Sequence, residues 1–571
     1  MTRMRLFFPA LALSFGCYAA QFWWIGTASS DPMAGSSWYN GDQLPGTADE
    51  ICVNDGAAKP MTITSETAFD VAAFRLGVNQ SRRDNTVVMN GGTLNSRSDV
   101  TVGYYKGSGG TMTQNGGSIT AAGRLNIAYG DNSSGTFRMT GGTLSVGGDI
   151  VVNEVKNAQG AFEMTGGTIT MAAGKSFAVP KRGTATARVA GPNARIDFND
   201  AYIFVAACRN WYGEPDGQGA FILADGATLA SLGYVKLLGA DSTFTCNGGV
   251  IQTSRAGTFF GGEGRLYVGD GGLVFDTQDF DVTLGKPMLA PEGATSGGFV
   301  KKGAGKLTLS TGNTYLPGPV SIEAGTVFAP GPDALPGFAT HAFSLAAGAT
   351  LELGGNWSPA QVTALQALPG VQGTVTRVTL DIVGAVTIAD DLTTADVEAG
   401  LFGNPKTGSG TLTLTGHNDF GGQFGVDYGV LVADWGQGVA WTDNLRLGKE
   451  GAFGTWRSGK FAPLCGLVTN AVGTGPGEIF FPQNTEAGFV AAVQPTTVRL
   501  YDDAARALKP NADLPRMLAL NTTTLANDIH LVNPVELNNG TFVAWDVYVD
   551  AGHAYLDGGV DYTVDGAPST V

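Results

Sequence analysis

The chain has 571 residues, which exceeds the roughly 250–300 residues at which a single hydrophobic core stops growing. Its 85 glycines are about twice the usual frequency of roughly 7%, yet 43% of the residues are hydrophobic, which excludes a disordered chain. A formal net charge of −16 argues against nucleic acid as a partner, because phosphate binding needs a basic surface. These values favour an all-β repeat protein with many turns between short strands.

Residues 1–20 have the features of a secretory signal peptide. Arg3 and Arg5 precede an apolar run that is shorter than the roughly 20 residues needed to span a membrane. We expect cleavage after Ala19 or Ala20, and a lipid attached to Cys17 is the alternative. No other stretch of the sequence is predicted to be a transmembrane helix.

A 25-residue unit repeats without gaps within residues 76–200. Each unit has two glycines, then Thr or Ser, then an aliphatic residue, and the first glycines are Gly91, Gly116, Gly141 and Gly166. A fifth, degenerate unit is expected at Gly191, with Ile196 in or near the aliphatic position. Apolar and polar residues alternate between the glycine pairs, which is the period of a strand with one buried face.

A unit of this length fits one turn of a parallel β-helix. A propeller blade needs about 40 residues, and a leucine-rich repeat needs regularly spaced leucines, which the units lack. Each turn of a β-helix closes around an apolar interior and stacks on the next at about 4.8 Å. The sequence therefore predicts an all-β, right-handed parallel β-helix (a solenoid), with a 25-residue turn in its N-terminal half. The four glycines are expected to stack at one corner.

Residues 201–440 are predicted to continue the solenoid with irregular turns. The stretch Asn356–Pro369 is the one predicted helix, in which Ser358 suits the N-cap position and Pro359 the first turn. Its apolar residues at helical spacing are Val362, Leu365 and Leu368. We expect this helix to decorate the solenoid.

Two segments of this region share a motif, near residues 300–329 and 407–435. The first contains KKGAGKLTLSTGNTY and the second GSGTLTLTGHNDF, and Gly305 aligns with Gly410 at an offset that the other matching positions share. Both segments resemble the autotransporter-associated β-strand repeat of autotransporter passenger domains and other large exported proteins. The resemblance implies a right-handed β-helix, export and surface display, and it implies no single activity.

The segments on either side of the repeats have features of their own. Residues 21–75 are predicted to be an N-terminal cap, in which Trp24 and Trp38 resemble a Trp-containing segment that often opens such proteins. Residues 441–571 are predicted to be a β-rich C-terminal segment without the recognisable strands of a membrane barrel. Two alternatives stay open: the chain is a fragment, or the protein is held or released by another route.

Four cysteines follow the signal peptide: Cys52, Cys208, Cys246 and Cys465. They form no CxxC pair and have no histidine nearby, so no zinc site is predicted. Disulfides are permitted in an exported protein, and the spacing leaves their pairing open.

The sequence assigns no catalytic, cofactor-binding or metal-binding residue. Metal ligands at suitable spacing are missing around the four histidines, which are His341, His417, His530 and His553. There is no GxSxG motif, P-loop or dinucleotide-binding motif before a helix. Three acidic residues have two interpretations, Ca²⁺ ligands or a solvated turn, and we favour the turn. They are Asp276, Asp279 and Asp281.

Polysaccharide lyases and hydrolases are the enzymatic alternative, because many are β-helices that bring carboxylates together on neighbouring turns. The acidic residues between positions 100 and 170 are Asp131, Asp149, Glu154 and Glu163, and they do not recur at the repeat period. This alternative rests on fold analogy alone, and no enzymatic activity is predicted.

Aromatic residues in or beside turns give a third class, a glycan-binding surface. They are Tyr104, Tyr105, Tyr129, Trp211 and Tyr212, and packing over a corner is the alternative role. Stacked Asn and Thr side chains suit the ordering of water, but a strict Thr-x-Thr pattern is not kept. The sequence therefore predicts an exported structural or adhesive solenoid, at the cell surface, in the outer membrane or extracellular. Its expected partners are surface glycans or other cell-surface proteins, and a polysaccharide-binding or polysaccharide-degrading β-helix is the alternative.

Overall fold

The computed structural model describes most of the chain up to residue 377 and separate strands beyond it. The described residues are 20–26, 29–39, 43–54, 59–79, 84–206, 217–310, 312, 316–335, 342–355, 357–377 and strands between 380 and 563. They form an all-β parallel solenoid of about 13 turns, with about 25 residues between successive turns, as predicted. Within this part of the chain, no helix has the length and apolar character to cross a membrane. The chain divides into two compact units, which are described separately: residues 1–305 with 315–319, and residues 306–314 with 320–571.

Three parallel sheets form the faces of the first unit, because each turn contributes one strand to each sheet. We name them face A, face B and face C. The strands of face A, in stacking order, are Gln21–Trp24, Glu50–Val53, Ala73–Leu76, Val100–Val102, Leu125–Ile127, Ile150–Val152, Ser176–Val179, Tyr202–Val205, Tyr234–Leu237 and Phe260–Gly262.

Faces B and C follow the same stacking order. The strands of face B are Met61–Ile63, Asn85–Met89, Gly109–Gln114, Ser134–Met139, Gln159–Met164, Gly183–Ala190, Gly217–Ala224, Thr243–Asn247, Arg265–Val268 and Met288–Leu289. Those of face C in this unit are Ala68–Val71, Thr93–Ser96, Ser118–Ala121, Thr143–Val146, Gly167–Met171, Ala194–Asp197, Thr228–Leu232, Gly249–Thr253, Leu273–Asp276 and Phe299–Lys302. A short pair, Gly257–Thr258 with Val282–Thr283, and a 3₁₀ turn, Gly35–Ser37, complete the unit.

The predicted stacking of the four glycines is confirmed. Ser118 pairs with Thr93 and with Thr143, and Thr143 pairs with Thr168, so each step matches the period read from the sequence. The second glycine of each pair provides the left-handed backbone of the corner, with φ of 74° at Gly117. The regular spacing is thus a corner requirement, because L side chains rarely adopt this conformation.

The fifth unit departs from this regular step. Ile169 of face C pairs with Ile196, which is two positions further along than the period predicts, so Ile196 does take the aliphatic position. Gly191 itself still stacks at the predicted step, because Met164 pairs with Val189 and a Cβ on Gly191 would meet the Thr165 carbonyl oxygen as one on Gly166 would meet that of Thr140. The two additional residues of this corner follow Gly191, so the shift begins only where face C starts.

Stacked side chains fill the interior of the first unit. The rings of Phe137 and Phe162 stack with centroids 5.9 Å apart, and Phe162 contacts Phe177 edge-on at 4.9 Å. Each buried phenylalanine contributes about 1.5–3 kcal/mol through removal of apolar surface from water. In the N-terminal turns, Trp24 and Trp38 fill the interior, and their buried rings contact each other edge-on with centroids 5.4 Å apart.

The second unit also consists mainly of parallel strands. One sheet contains Lys306–Thr308, Thr326–Ala329, Thr350–Leu353 and Thr374–Arg377, and Val320–Ile322 pairs with Phe343–Leu345. The later strands are Leu380–Asp381, Ala385–Ile388, Lys406–Thr407, Thr411–Leu414, Phe424–Val426, Gly429–Ala433, Leu445–Leu447, Cys465–Thr469, Ile479–Phe480, Phe489–Ala492, Met517–Leu520, Thr541–Asp550 and His553–Thr563. The last two form an antiparallel hairpin, and a 3₁₀ turn covers Pro332–Ala334.

The predicted helix is present and shorter than expected, over Pro359–Gln366. Ser358 is its N-cap: the Ser358 hydroxyl accepts from the Gln361 N–H, and the Gln361 side chain accepts from the Ser358 N–H. This reciprocal pair satisfies two donors that the first turn leaves without helical partners. Val362 and Leu365 are buried, so one side of the helix faces apolar residues.

Candidate functional site

The tyrosines singled out in the sequence lie where the chain passes from face A to face B. This corner begins with left-handed backbone, at Gly103 with φ 72° and at Ala128 with φ 57°. The next residues are Tyr104 and Tyr129, which therefore occupy equivalent positions of successive turns. A left-handed residue turns the chain sharply outward, and this brings the tyrosine side chains to the surface.

Tyr104 and Tyr129 form a stack that begins on a guanidinium group. Arg75 lies over the Tyr104 ring at 4.5 Å, and the Tyr104 and Tyr129 rings are parallel within 5° with centroids 5.8 Å apart. Glu50 fixes Arg75 through an ion pair of 2.8 Å. Tyr129 keeps 39% of its surface exposed, and Tyr105 keeps 44%. We call Arg75, Tyr104, Tyr105 and Tyr129 the aromatic corner.

A polar groove of about 670 Å³ continues along the same corner over five successive turns. Its polar side chains belong to Lys156, Asn157, Gln159, Thr184, Gln218, Asp241 and Glu263. Gly183 lets two successive turns approach closely under the groove, because its φ is 75° and a Cβ there would lie 2.2 Å from the Lys156 carbonyl oxygen. Asp131 links corner and groove, since it accepts from Asn157 at 3.2 Å and pairs with Lys106 at 3.7 Å.

The groove contains two carboxylates that the sequence did not single out. Thr243 pairs with Arg265 in face B, and Asp241 and Glu263 each precede these residues by two positions. The two acids therefore lie in the corners of successive turns and line the same groove. Their separation along the chain is three residues shorter than the regular step, which hides them from a search at the repeat period. Only the strand register seen in the structure reveals that both acids line the groove.

A second aromatic pair was also missed. Tyr202 and Tyr234 stack on the outer side of face A with centroids 4.2 Å apart, and Lys236 lies 5.3 Å from the Tyr234 ring. Burial raises the pKa of Tyr234, and the neighbouring Tyr202 contributes in the same direction. The step between the two tyrosines is seven residues longer than the regular one, so the period gave no sign of the pair.

Three aspartates considered as Ca²⁺ ligands do not converge on a metal position. Asp276 accepts from the Gln278 backbone N–H at 2.9 Å, and Asp279 and Asp281 are exposed. Among the residues that the structure describes, no three His, Cys, Asp or Glu side chains are grouped to hold a metal ion. The geometry is that of a polar turn.

Lys301 of the repeat motif points into the solenoid. Its ammonium donates to the carbonyl oxygens of Lys302 and Gly303, each at 2.8 Å, and so holds the following corner. Burial lowers the pKa of Lys301 to about 8, and the negative charge of Asp276 opposes this change. The first lysine of the motif is therefore an interior corner residue, which the sequence pattern did not indicate.

The described cysteines are thiols. Cys52 and Cys246 are buried and free, and burial raises the pKa of each to about 12. Such thiols carry almost no thiolate at neutral pH and are chemically inert.

Several predicted features lie outside the described residues. They are positions 1–19 of the signal peptide with Cys17, and also Cys208, Trp211, Tyr212, His341, His417 and His530. Cys465 and His553 lie in described strands whose side chains are not among the described ones.

Comparison with known proteins identifies the repeat motif. A family model described as the passenger-associated-transport-repeat matches residues 299–327 and 406–433, the two segments that resemble autotransporter repeats. No curated protein and no solved structure matched the chain. The family implies autotransporter-related export, and the structure provides the parallel solenoid of such a passenger. The chain is thus a β-solenoid with two passenger-associated-transport-repeats, consistent with an autotransporter passenger-like repeat protein.

Proposed function

We propose that this protein is an exported structural and adhesive element of the cell surface, which contacts glycans through the aromatic corner and the polar groove. The observation that carries the proposal is the Tyr129 ring, which is exposed at the end of a fixed stack and lies two residues before Asp131, the acceptor of Asn157 of the groove. The passenger-type repeats support export to the outer membrane, the cell surface or the medium.

The chemistry of the corner suits a sugar chain. An aromatic ring offers an apolar plane for the C–H side of a sugar ring, and the tyrosine hydroxyl remains a hydrogen-bonding group. The Arg75–Tyr104 stack holds Tyr129 before a ligand arrives, which lowers the entropy lost on binding. Amide and hydroxyl groups of Asn157, Gln159 and Thr184 line the adjoining groove. Many weak contacts along one corner add up when a polymeric ligand spans several turns.

Adhesion of the secreted protein tests this proposal. The double variant Tyr104→Ala/Tyr129→Ala should bind a panel of immobilised glycans and whole cells about thirtyfold more weakly, because two aromatic contacts of about 1 kcal/mol each are lost. Tyr39→Ala is the matched control, since Tyr39 is 78% exposed and lies outside the corner. Equal losses in both variants, or no binding of the unaltered protein to any glycan or cell, would contradict the proposal.

Export is tested separately, by the first residue of the secreted protein. The proposed signal peptide predicts that the secreted protein begins at Ala20 or Gln21. N-terminal sequencing of protein from the cell surface and the medium determines this start. Recovery of intact Met1 solely from the cytoplasm would remove the basis for a surface role.

Polysaccharide cleavage is the second candidate function, because Asp241 and Glu263 lie on successive turns of the groove. Glycoside hydrolysis uses two carboxyl groups on either side of the scissile bond. In this case Asp241→Asn and Glu263→Gln would each abolish the release of reducing ends from a polysaccharide. The adhesive proposal predicts that the unaltered protein releases no reducing ends.

A further inference from the structure

The outer side of face C carries an array of hydroxyl and amide groups over four successive turns. The array has three columns, one at the corner before each strand and two along the strands. The corner column contains Asn90, Asn115, Thr140 and Thr165, and the strand columns contain Thr93, Ser118, Thr143 and Thr168, then Asn95, Thr120, Ser145 and Thr170. All twelve side chains are exposed or half-buried. We call this surface the ladder face.

The ladder face is uncharged, although the chain has a net charge of −16. Charged side chains border it and are paired with one another, as Arg138 is with Glu163. Asp70, which neighbours Asn95, forms an ion pair of 2.8 Å with Arg97. On the opposite side, Arg195 and Asp197 lie 3.7 Å apart. A partner that matches this surface therefore carries no net charge.

Hydrogen bonds within two of the three columns hold five of the twelve side chains in position. The Thr143 hydroxyl donates to the Ser118 hydroxyl at 3.1 Å. At the corner, the Asn115 amide donates to Asn90 at 2.9 Å and the Thr140 hydroxyl donates to Asn115 at 2.8 Å. Each of these groups has more than one donor or acceptor position, so the columns present ordered groups to a ligand. Side chains fixed in advance lose little entropy when they bind.

The array repeats at one fixed step, because the register between its strands never shifts. Successive turns are about 4.8 Å apart, and the two strand columns are about 6.6 Å apart. A ligand meets all four turns at once only when its own hydrogen-bonding groups repeat at a similar step. A hexose in an extended 1,4-linked chain advances by close to one strand spacing and brings hydroxyl groups on both sides.

We propose that the ladder face binds an extended, uncharged polysaccharide that lies along the stack with about one sugar on each turn. This inference adds a second site to the proposed adhesive function and rests on it. The site is independent of the aromatic corner, because it lies on face C and uses hydrogen bonds where the corner uses rings. Four turns give a short contact, and a polymer engages it repeatedly through multivalency.

Two other occupants fit the ladder face less well. Four turns span about 14 Å along the stack, so the face covers far less than the roughly 800 Å² that each side of a stable protein interface buries. A rigid ice lattice calls for the same group at every position, whereas here Asn, Ser and Thr alternate within the columns. A flexible sugar chain accepts mixed donors and acceptors.

A matched pair of variants tests the proposal in the full secreted chain. Thr143→Ala/Thr168→Ala removes adjacent hydroxyls from the ladder face. Thr111→Ala/Thr136→Ala removes an adjacent, similarly placed pair from the outer side of face B and serves as control. The probes are cellulose, chitin, xylan and mannan as neutral polymers, alginate and pectate as acidic ones, and ice. Thermal unfolding of each variant checks that the fold is intact.

The expected result is binding of the unaltered protein to at least one neutral polymer, weakened about tenfold by the face C pair and unchanged by the face B pair. Unchanged binding in the face C pair, binding to acidic polymers alone, or retention by ice alone would overturn the proposal. If Tyr104→Ala/Tyr129→Ala alone abolishes binding, the ladder face is excluded and the adhesive function stands. If the unaltered protein binds no cell and no glycan, the adhesive function itself is overturned.

Discussion

The turns between residues 85 and 171 and the later turns of the first unit use the same three faces but differ in the corners that join them. Between face B strands, Gly110 pairs with Gly135 and Gly135 with Gly160, both at the regular step. Later, Gly183 pairs with Gly217, a step nine residues longer, and Thr243 pairs with Arg265, a step three residues shorter. The constant corners produce the flat ladder face, and the variable corners produce the polar groove.

This difference shows which part of a turn is free to vary. The strands keep their apolar residues inward in both regions, because a one-residue slip would move every side chain to the opposite face. Corners have no such restriction where they reach solvent, so insertions and deletions accumulate there. A uniform surface and a shaped groove are therefore obtained from one fold through corner length alone.

The largest expected effect tests whether the two regions share the same interior. Phe162→Ala in the regular turns and Phe244→Ala in the variable turns should each lower the free energy of unfolding by about 3–5 kcal/mol. Both rings are fully buried, and each stacks on a ring of a neighbouring turn, at 5.9 Å and 5.2 Å. Urea unfolding measures the loss. A cost below about 1 kcal/mol for Phe244→Ala would show that the variable turns are loosely packed.

A glycine comparison tests the rigidity of the regular corners. Gly117 and Gly174 have similar φ values, 74° and 69°, but a Cβ on Gly117 would lie 2.6 Å from the Gly91 backbone, whereas Gly174 has open space. Gly174→Ala should cost about 1 kcal/mol through backbone strain, and Gly117→Ala about 1–3 kcal/mol more through overpacking. Equal melting temperatures of the two variants would contradict the close stacking of the regular corners.

The pH dependence of unfolding tests the interior lysine that follows the variable turns. The folded pKa of Lys301 is about 8 and the usual value is 10.5, so between these values the unfolded chain binds the additional proton. Unfolding free energy should therefore rise as the pH increases from about 8 to 10.5. In Lys301→Met this contribution disappears, and the difference between the two proteins should change across the same window. A constant difference would show that the Lys301 ammonium is well solvated.

The smallest effect concerns exposed ion pairs, which both regions contain. Arg138 pairs with Glu163 at 2.6 Å in the regular turns, and Arg188 pairs with Asp225 at 2.9 Å in the variable turns. Arg138→Ala and Arg188→Ala should each change the unfolding free energy by less than about 1 kcal/mol, because water and salt screen these charges. Denaturant titrations at low and high salt give the measurement. A larger, salt-resistant loss in one region would indicate that its surface charges act as a network.

The sequence predicted the fold well where the pattern is local. The period of the glycine pairs indicated the parallel stacking, and Ser358 with Pro359 indicated the start of the helix, because corners and caps depend on a few neighbouring residues. The groove was not predicted, since its residues come from five turns with unequal steps. Asp241 and Glu263 line the same groove from successive turns whose register is shortened, which the sequence does not display.

The aromatic corner could be predicted from the sequence only in part. The sequence placed Tyr104 and Tyr129 in or beside turns, and the structure adds that they occupy equivalent positions and that their rings are parallel. Arg75, which lies over the Tyr104 ring, belongs to the preceding turn, and no sequence pattern indicates this contact. The inward direction of Lys301 was hidden for a related reason, because the carbonyl groups that accept its hydrogen bonds lie in the corner backbone.

The uniform register between Thr93 and Thr168 makes the regular turns interchangeable modules. Removing or duplicating one whole unit leaves every strand paired with an equivalent strand, every interior side chain inside, and every ladder column continuous. Unequal recombination between repeats can therefore change the number of turns in this region in steps of one turn. Each step changes the reach of the surface array and leaves its chemistry as it was.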